Sequence, residues 1–236
     1  MTGAAGHREL RERVLAANLE LPRRGLALYT FGNVSELDPV AGVLAIKPSG
    51  VPYDRLGVDD IVVVDLEGRV VEGALRPSSD TRTHVVLYRA YAAHGIRGIA
   101  HTHSTYATAW AQARRPIPIY GTTHADYLAG DVPCTTVIAD ESLTGDYEAA
   151  TGEQIVASVP ASAARTTSMV LVAGHGPFTW GADATTAVYH AAMLEQIAHM
   201  AFVTQGIDPA TPRLPAPLIA KHFERKHGKH AYYGQK

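Results

Sequence analysis

The chain reads as an α/β protein with a substantially antiparallel sheet, and three observations lead there. Segments with apolar residues at helical spacing alternate with short β-branched runs. Residues 61–65, the turn at Glu67-Gly68 and residues 69–71 have the composition of a β-hairpin, which a purely parallel βαβ array lacks. The 236 residues are 46% hydrophobic, with no internal repeat, low-complexity tract or Ser/Gly linker, so they predict one core and a single domain over residues 1–236.

The elements follow in order. Residues 8–19 form an amphipathic helix with Leu10, Val14 and Leu15 on one side and Pro22 as its stop. Residues 27–31 and 42–46 read as strands divided by the turn-rich residues 32–39, and the hairpin comes next. A helix is predicted over residues 81–93, with Ser78 or Ser79 as N-cap and Gly95 as its end. A strand then carries His101 and His103 into a helix over residues 105–113, for which Ser104 is the cap. Short strands near residues 117–120 and 134–138 flank the polar residues 121–126. Beyond a helix near residues 147–159, the apolar run of residues 169–174 ends in His175. A long helix over residues 184–204, a proline-marked loop at residues 209–217 and a last helix lead to Tyr232-Tyr233.

Composition excludes several classes. Net charge is −2 and the charges are interspersed, which leaves no stripe for nucleic acid and no membrane-binding face. The basic run of residues 221–230 reads as a solvated helix face, with closure of an anionic substrate site as the other reading. A single cysteine, Cys134, forbids an intrachain disulfide and fits a packed small residue. Residues 1–20 are charged and periodic without an apolar signal core, and no run is long enough to span a bilayer. A soluble, cytosolic protein is expected.

Chemistry concentrates at histidines. In a strand, residues i and i+2 share a face about 7 Å apart, so His101 and His103 point into one space. With twelve histidines in the chain such a pair can arise by chance, and alone it divides evenly between ligand and ordinary core or surface histidine. His175 sharpens it, because Gly174-His175-Gly176-Pro177 places an imidazole in a tight turn where backbone and ligand can approach closely. Three imidazoles with open positions are the pattern of a catalytic metal site. Asp80 opens a helix and could add an oxygen ligand or a base; by itself it reads first as a carboxylate complementing the helix dipole. His84, one turn further, reads as packing beside the site.

Anion-binding signals surround this cluster. Lys47-Pro48-Ser49-Gly50 follows a strand and brings an ammonium, a hydroxyl and a glycine amide. Ser78-Ser79 brings two hydroxyls and the amides of a helix N-terminus, and Gly32-Asn33 another flexible amide. Each alone is an ordinary turn or cap; together, around a metal cluster, they point to a small phosphorylated substrate. Asp126 and Tyr233 are acid/base candidates, although a polar segment and a chain end would ordinarily be given duller roles. Cupin-like barrels and amidohydrolase barrels also use H-x-H. The first lacks its following Glu in residues 104–108, and the second places the pair near the start of a longer chain.

In order along the chain stand Gly32-Asn33-Val34-Ser35, Ile46-Lys47-Pro48-Ser49-Gly50-Val51, Pro77-Ser78-Ser79-Asp80-Thr81 and His101-Thr102-His103-Ser104. After them come Gly121-Thr122-Thr123-His124-Ala125-Asp126-Tyr127, His175-Gly176-Pro177-Phe178, Lys226-His227-Gly228 and Ala231-Tyr232-Tyr233-Gly234-Gln235. With these motifs the chain resembles the class II sugar-phosphate aldolase/epimerase family, and within it the pentose-phosphate 4-epimerases. The resemblance implies a three-layer fold, a central, mostly antiparallel sheet flanked by helices, assembled as a cyclic homotetramer with sites at subunit interfaces. It implies Zn2+, with Mn2+ or Co2+ possible on ligand type, held by His101, His103 and His175 with Asp80 as a further ligand. Substrate and phosphate contacts would come from Gly32, Asn33, Ser49, Gly50, Ser78 and Ser79, with Lys47 close by. Asp126 and Tyr233 would be the acid/base pair, Tyr233 reaching a neighbouring subunit's site. The implied reaction is C4 epimerisation of a phosphorylated ketopentose. Related fuculose-phosphate aldolases carry Glu where this chain has Asp80, which favours the epimerase. An aldolase and a non-catalytic adducin-head-like module are the alternatives within the resemblance, and a metal-dependent hydrolase outside it.

Overall fold

A computed structural model describes residues 7–229 and 231–233. The predicted basic run therefore ends, at His230, outside the described residues, as do Gly234 and Gln235 of the last motif and the first six residues of the segment read as lacking an apolar signal core. In chain order the elements are α1 (Arg8–Arg23), β1 (Asn33–Asp38), β2 (Val43–Ile46), β3 (Val62–Asp65), β4 (Val70–Glu72), α2 (Thr81–Tyr91) and β5 (Gly98–His101). They continue with α3 (Thr105–Gln112), α4 (Thr122–Ala125), α5 (Asp140–Leu143), α6 (Tyr147–Ser158), β6 (Met169–Leu171), β7 (Pro177–Gly181), α7 (Ala184–Ile207) and α8 (Ala216–His227).

The seven strands form one sheet in the order β4-β3-β2-β1-β5-β7-β6, every neighbouring pair antiparallel. Strand alternation divides the core in two. Val34, Ala45, Val63 and Ala100 point to one face, where they pack with Leu10, Val14 and Leu21 of α1 and Ala187 and Val188 of α7. Leu44, Ile46, Val62, Val64 and Ile99 point to the other, against Val85, Tyr88 and Tyr91 of α2 and Ile155 of α6. Helices on both faces make the three layers that were expected. A third cluster, with Trp110, Ile117, Leu128, Leu171 and Ile197, packs α3 and the second half of α7 at the β6 end. No helix among the described residues is long and apolar enough to cross a membrane.

Several elements depart from expectation, each for a physical reason. Residues 27–31 are not a strand: Tyr29 has a φ of 53°, a left-handed conformation that interrupts extended pairing. The strand lies instead in residues 33–38, expected as turn, whose buried polar side chains are each used. Asn33 reaches Ser78 and Asp80, Ser35 reaches His84 and Tyr88, and Glu36 accepts from Arg13 and the Ala184 amide. Pro22 does not stop α1 but sits in its last turn. Neither Ser78 nor Ser79 is the cap of α2, since Asp80 holds the cap position and its carboxylate is turned elsewhere. The short strands near residues 117–120 and 134–138 reduce to single bridges, Ile117 to Val132 and Cys134 to Leu171, because Pro116, Pro118 and Pro133 cannot donate to a ladder.

Candidate metal centre and phosphate cradle

His101 ends β5 and His103 follows just beyond the strand, while His175 lies in the turn that joins β6 to β7. The β5–β7 ladder pairs His101 with Phe178, so the histidine strand and the turn bearing His175 emerge side by side. Gly176 permits this closeness: a Cβ there would stand 2.8 Å from the Thr102 carbonyl oxygen. His101 Nδ1 donates to the Pro177 carbonyl at 3.0 Å, and its ring stacks on Phe178 with centroids 4.3 Å apart. That bond fixes the tautomer and leaves the Nε2 lone pair available.

Three imidazole nitrogens, one each from His101, His103 and His175, lie within 4.8 Å of one another. His101 Nε2 and His103 Nε2 are 3.1 Å apart, close to the separation of about 3.3 Å that two nitrogens have around tetrahedral zinc. His175 Nδ1 is buried with no hydrogen-bond partner among the described residues. Burial pushes His101 down to about 3 and lowers His103 and His175, so all three rings are neutral at pH 7 and able to ligate. A divalent cation fits this donor set, since it would take the lone pair of His101 Nε2 and reach the His175 ring, whose buried Nδ1 has no partner among the described residues.

Asp80 lies in the same cavity but outside that triplet of donor atoms. Its Oδ2 accepts from Asn33 Nδ2 at 2.7 Å. Burial raises the Asp80 carboxyl, but its electrostatic coupling to the His101 and His84 rings and the Asn33 bond outweigh it and leave it below the usual carboxylate range. His84 is fully buried behind the site, bonded through Nδ1 to Ser35 Oγ at 2.7 Å, and Ser35 in turn meets the Tyr88 hydroxyl at 2.8 Å.

The cavity has a volume of about 320 Å³ and joins the remaining predicted contacts to the histidines. Gly32, Asn33, Lys47, Ser49, Gly50, Ser78 and Ser79 all line it. Two backbone bonds draw distant segments together, Ser49 N to Arg76 O at 2.9 Å and Ser78 N to Lys47 O at 3.0 Å. Lys47 is only 1% exposed, and burial brings its amine down to about 8. Thr30 and Phe31 also line the cavity, and Phe31 stacks against His103 at 5.8 Å. Sequence reading missed both, and their adjacency to Gly32-Asn33 was the one available signal.

Asp126 and Tyr233 are brought together with each other but not with this cavity. Asp126 follows α4 and receives His222 Nδ1 at 3.0 Å and the Arg225 guanidinium at 2.8 Å, both from α8. Burial would raise its carboxyl, yet Arg225, His222 and the Lys226 charge hold it below the ordinary range. Tyr233 is exposed and lies under Arg225, 4.8 Å from ring centroid to guanidinium, and under Lys226 at 4.6 Å.

Residues 12–202 match the family model described as the class II aldolase and adducin N-terminal domain. The chain is 51% identical over 228 residues to the L-ribulose-5-phosphate 4-epimerase UlaF of Salmonella paratyphi B, covering 97% of this chain and 99% of that protein. Among solved structures, an L-fuculose 1-phosphate aldolase superposes with a TM-score of 0.76 at 24% identity, over 92% of this chain and 95% of that one, which shows a shared fold. The L-fuculose-1-phosphate aldolase of Thermus thermophilus superposes with a TM-score of 0.63 at 27% identity, over 87% and 98% of the two chains.

Proposed function

Because the chain belongs to the class II aldolase and adducin N-terminal domain family, we propose that it interconverts L-ribulose 5-phosphate and D-xylulose 5-phosphate by breaking and remaking the C3–C4 bond. One observation carries the reading. A cluster of metal-ligating imidazoles and a set of anion-binding groups open onto one small cavity, in a chain 51% identical to an enzyme named for that epimerisation.

The chemistry explains why a bond must break. C4 is not adjacent to the C2 carbonyl, so its proton is not acidic enough for removal and return. Retro-aldol cleavage instead yields a three-carbon enediolate and glycolaldehyde phosphate, and re-addition to the aldehyde's other face inverts C4. His101, His103 and His175, with Asp80 beside them, would hold the divalent cation, zinc best suiting this donor set. When bound, it supplies Lewis-acid stabilisation of the developing oxyanion.

The chain's own residues do the rest. Lys47, Ser49, Gly50, Ser78, Ser79 and the Gly32-Asn33 backbone hold the phosphate, so the aldehyde fragment turns without escaping. Asp126 and Tyr233 exchange the C4 hydroxyl proton from opposite faces, one for each epimer. Since both sit on the α4/α8 patch, they serve the cavity of a neighbouring copy, in keeping with a cyclic homotetramer whose sites lie between subunits.

The test is incubation with L-ribulose 5-phosphate, with metal content measured on the same sample. Formation of D-xylulose 5-phosphate supports the reading. Accumulation of free glycolaldehyde phosphate makes the protein an aldolase, and orthophosphate release makes it a hydrolase. No turnover, together with no bound metal, leaves an interaction module.

A further inference from the structure

Tyr53 belongs to none of the motifs above, yet it touches both the turn at residues 29–32 and Lys47, two parts of the phosphate side of the cavity. Its ring is buried, and its hydroxyl lies 3.0 Å from the Phe31 carbonyl oxygen and 2.9 Å from the Gly32 carbonyl oxygen. Its backbone amide donates to the Tyr29 carbonyl at 3.3 Å. The segment so gripped includes a conformation that a non-glycine residue rarely adopts, since Tyr29 has φ 53°, whereas Gly32 at φ 78° takes its left-handed conformation freely. At Gly32 a side chain is also excluded, since a Cβ would approach the His101 carbonyl oxygen to 2.9 Å.

The direction of those carbonyls matters. In a trans peptide the N–H points opposite to the C=O, so a Phe31 carbonyl turned onto Tyr53 sends the Gly32 N–H the other way. Gly32 lines the cavity. The same turn carries Phe31 onto His103 and gives the Thr30 carbonyl to the Lys47 ammonium at 3.4 Å. The Tyr53 ring itself lies beneath that ammonium, 5.0 Å from nitrogen to centroid, which favours the charged amine in a buried setting.

We infer that Tyr53 is a positioning residue for the phosphate half of the substrate: its hydroxyl fixes the turn at residues 29–32 that presents Gly32, and its ring seats Lys47. The inference rests on the sugar-phosphate reading above, and the experiment separates the two. Its probe is 2-phosphoglycolate, which carries the phosphate and two-carbon skeleton of the aldehyde fragment, titrated calorimetrically into wild type, Tyr53→Phe and Tyr53→Leu. Tyr53→Phe keeps the ring and loses the hydroxyl, and it weakens the probe roughly fivefold to tenfold. Tyr53→Leu loses the ring as well and weakens it by roughly another fivefold. With L-ribulose 5-phosphate the KM rises in parallel while kcat stays within about twofold, a division that lowered stability alone does not produce.

Probe affinity within about twofold of wild type in Tyr53→Phe, or a fall in kcat with KM unmoved, overturns the inference and leaves the proposed reaction standing. If Tyr53→Leu does not fold, Tyr53→Phe decides. Wild type that binds the probe and shows the Tyr53 effect but does not epimerise refutes the reaction and supports the positioning role. Wild type that does not bind the probe removes the anion site and overturns both.

Discussion

The two polar regions of this molecule are built on opposite terms. In the histidine cavity the matching is incomplete: two Nε2 atoms meet at 3.1 Å with only each other, and a buried His175 nitrogen has no partner among the described residues. On the α4/α8 patch the Asp126 carboxylate is matched by Arg225, His222 and Lys226. A buried polar atom left unmatched costs roughly 1–3 kcal/mol, which a fold tolerates where a ligand will repay it. The first region thus keeps a donor atom open to a ligand, and the second keeps its carboxylate fully paired.

The largest expected effect comes from the first region. His103 is the exposed member of the triplet, so His103→Ala should fold normally. It should bind no metal and lose roughly a thousandfold or more in epimerisation, the equivalent of several kcal/mol of oxyanion stabilisation. Chelator treatment of wild type should give the same loss, reversed by zinc. A His103→Ala protein with full metal and full activity would refute the site.

On the patch, Asp126→Asn should reduce turnover by roughly 10²–10⁴-fold while metal content stays at the wild-type value. This contrast breaks the comparison if it fails. Loss of metal along with activity would mean that the two regions form one structural unit within a chain. Unchanged activity would leave Asp126 as nothing more than an anchor for α8.

Acid tests both regions at once. His84 behind the cavity and His124 in α4 are pushed down to about 4 by burial, against an ordinary value of 6.5. Because the folded value lies below the unfolded one, the native state binds fewer protons in between. The stability is fully present above pH 6.5 and is lost as pH falls through about 4, on the order of 3 kcal/mol for each histidine. Urea midpoints between pH 7 and pH 4 should fall accordingly, and a flat profile would show that one or both rings acquire a proton-compatible partner.

Much of the first region was legible in sequence because its chemistry is local. His101-Thr102-His103, Gly174-His175-Gly176 and Lys47-Pro48-Ser49-Gly50 are short runs at the ends of apolar segments and Ser78-Ser79-Asp80 opens a helix, so the fold had only to bring those ends together. β1 was illegible for the complementary reason. Asn33, Ser35 and Glu36 are buried polar residues, and hydrophobic periodicity has no means of registering a strand whose inward positions are satisfied by hydrogen bonds rather than by packing. Asp126 stands in a motif, but its setting was not legible, because its partners lie about a hundred residues away on α8 and nothing near it announces them.

The smallest expected effect concerns what frames the cavity. Ser104 holds the N-cap position of α3 as expected, but its side chain makes no capping bond. The work falls to Glu195 on α7, whose two carboxylate oxygens accept the Tyr106 and Ala107 amides at 2.8 and 2.9 Å. The helix start directly after His103 is thus tied to the layer behind the sheet. Glu195→Gln keeps one acceptor and loses the negative charge facing the helix N-terminus, which should cost about 1 kcal/mol in chemical denaturation. Metal affinity should stay within about threefold, because His101 is fixed independently by Pro177 and Phe178 and His175 by its own hairpin turn. A fall beyond tenfold would show that the cavity borrows its geometry from α7, and the contrast between a self-contained pocket and a helix-dependent patch would no longer hold.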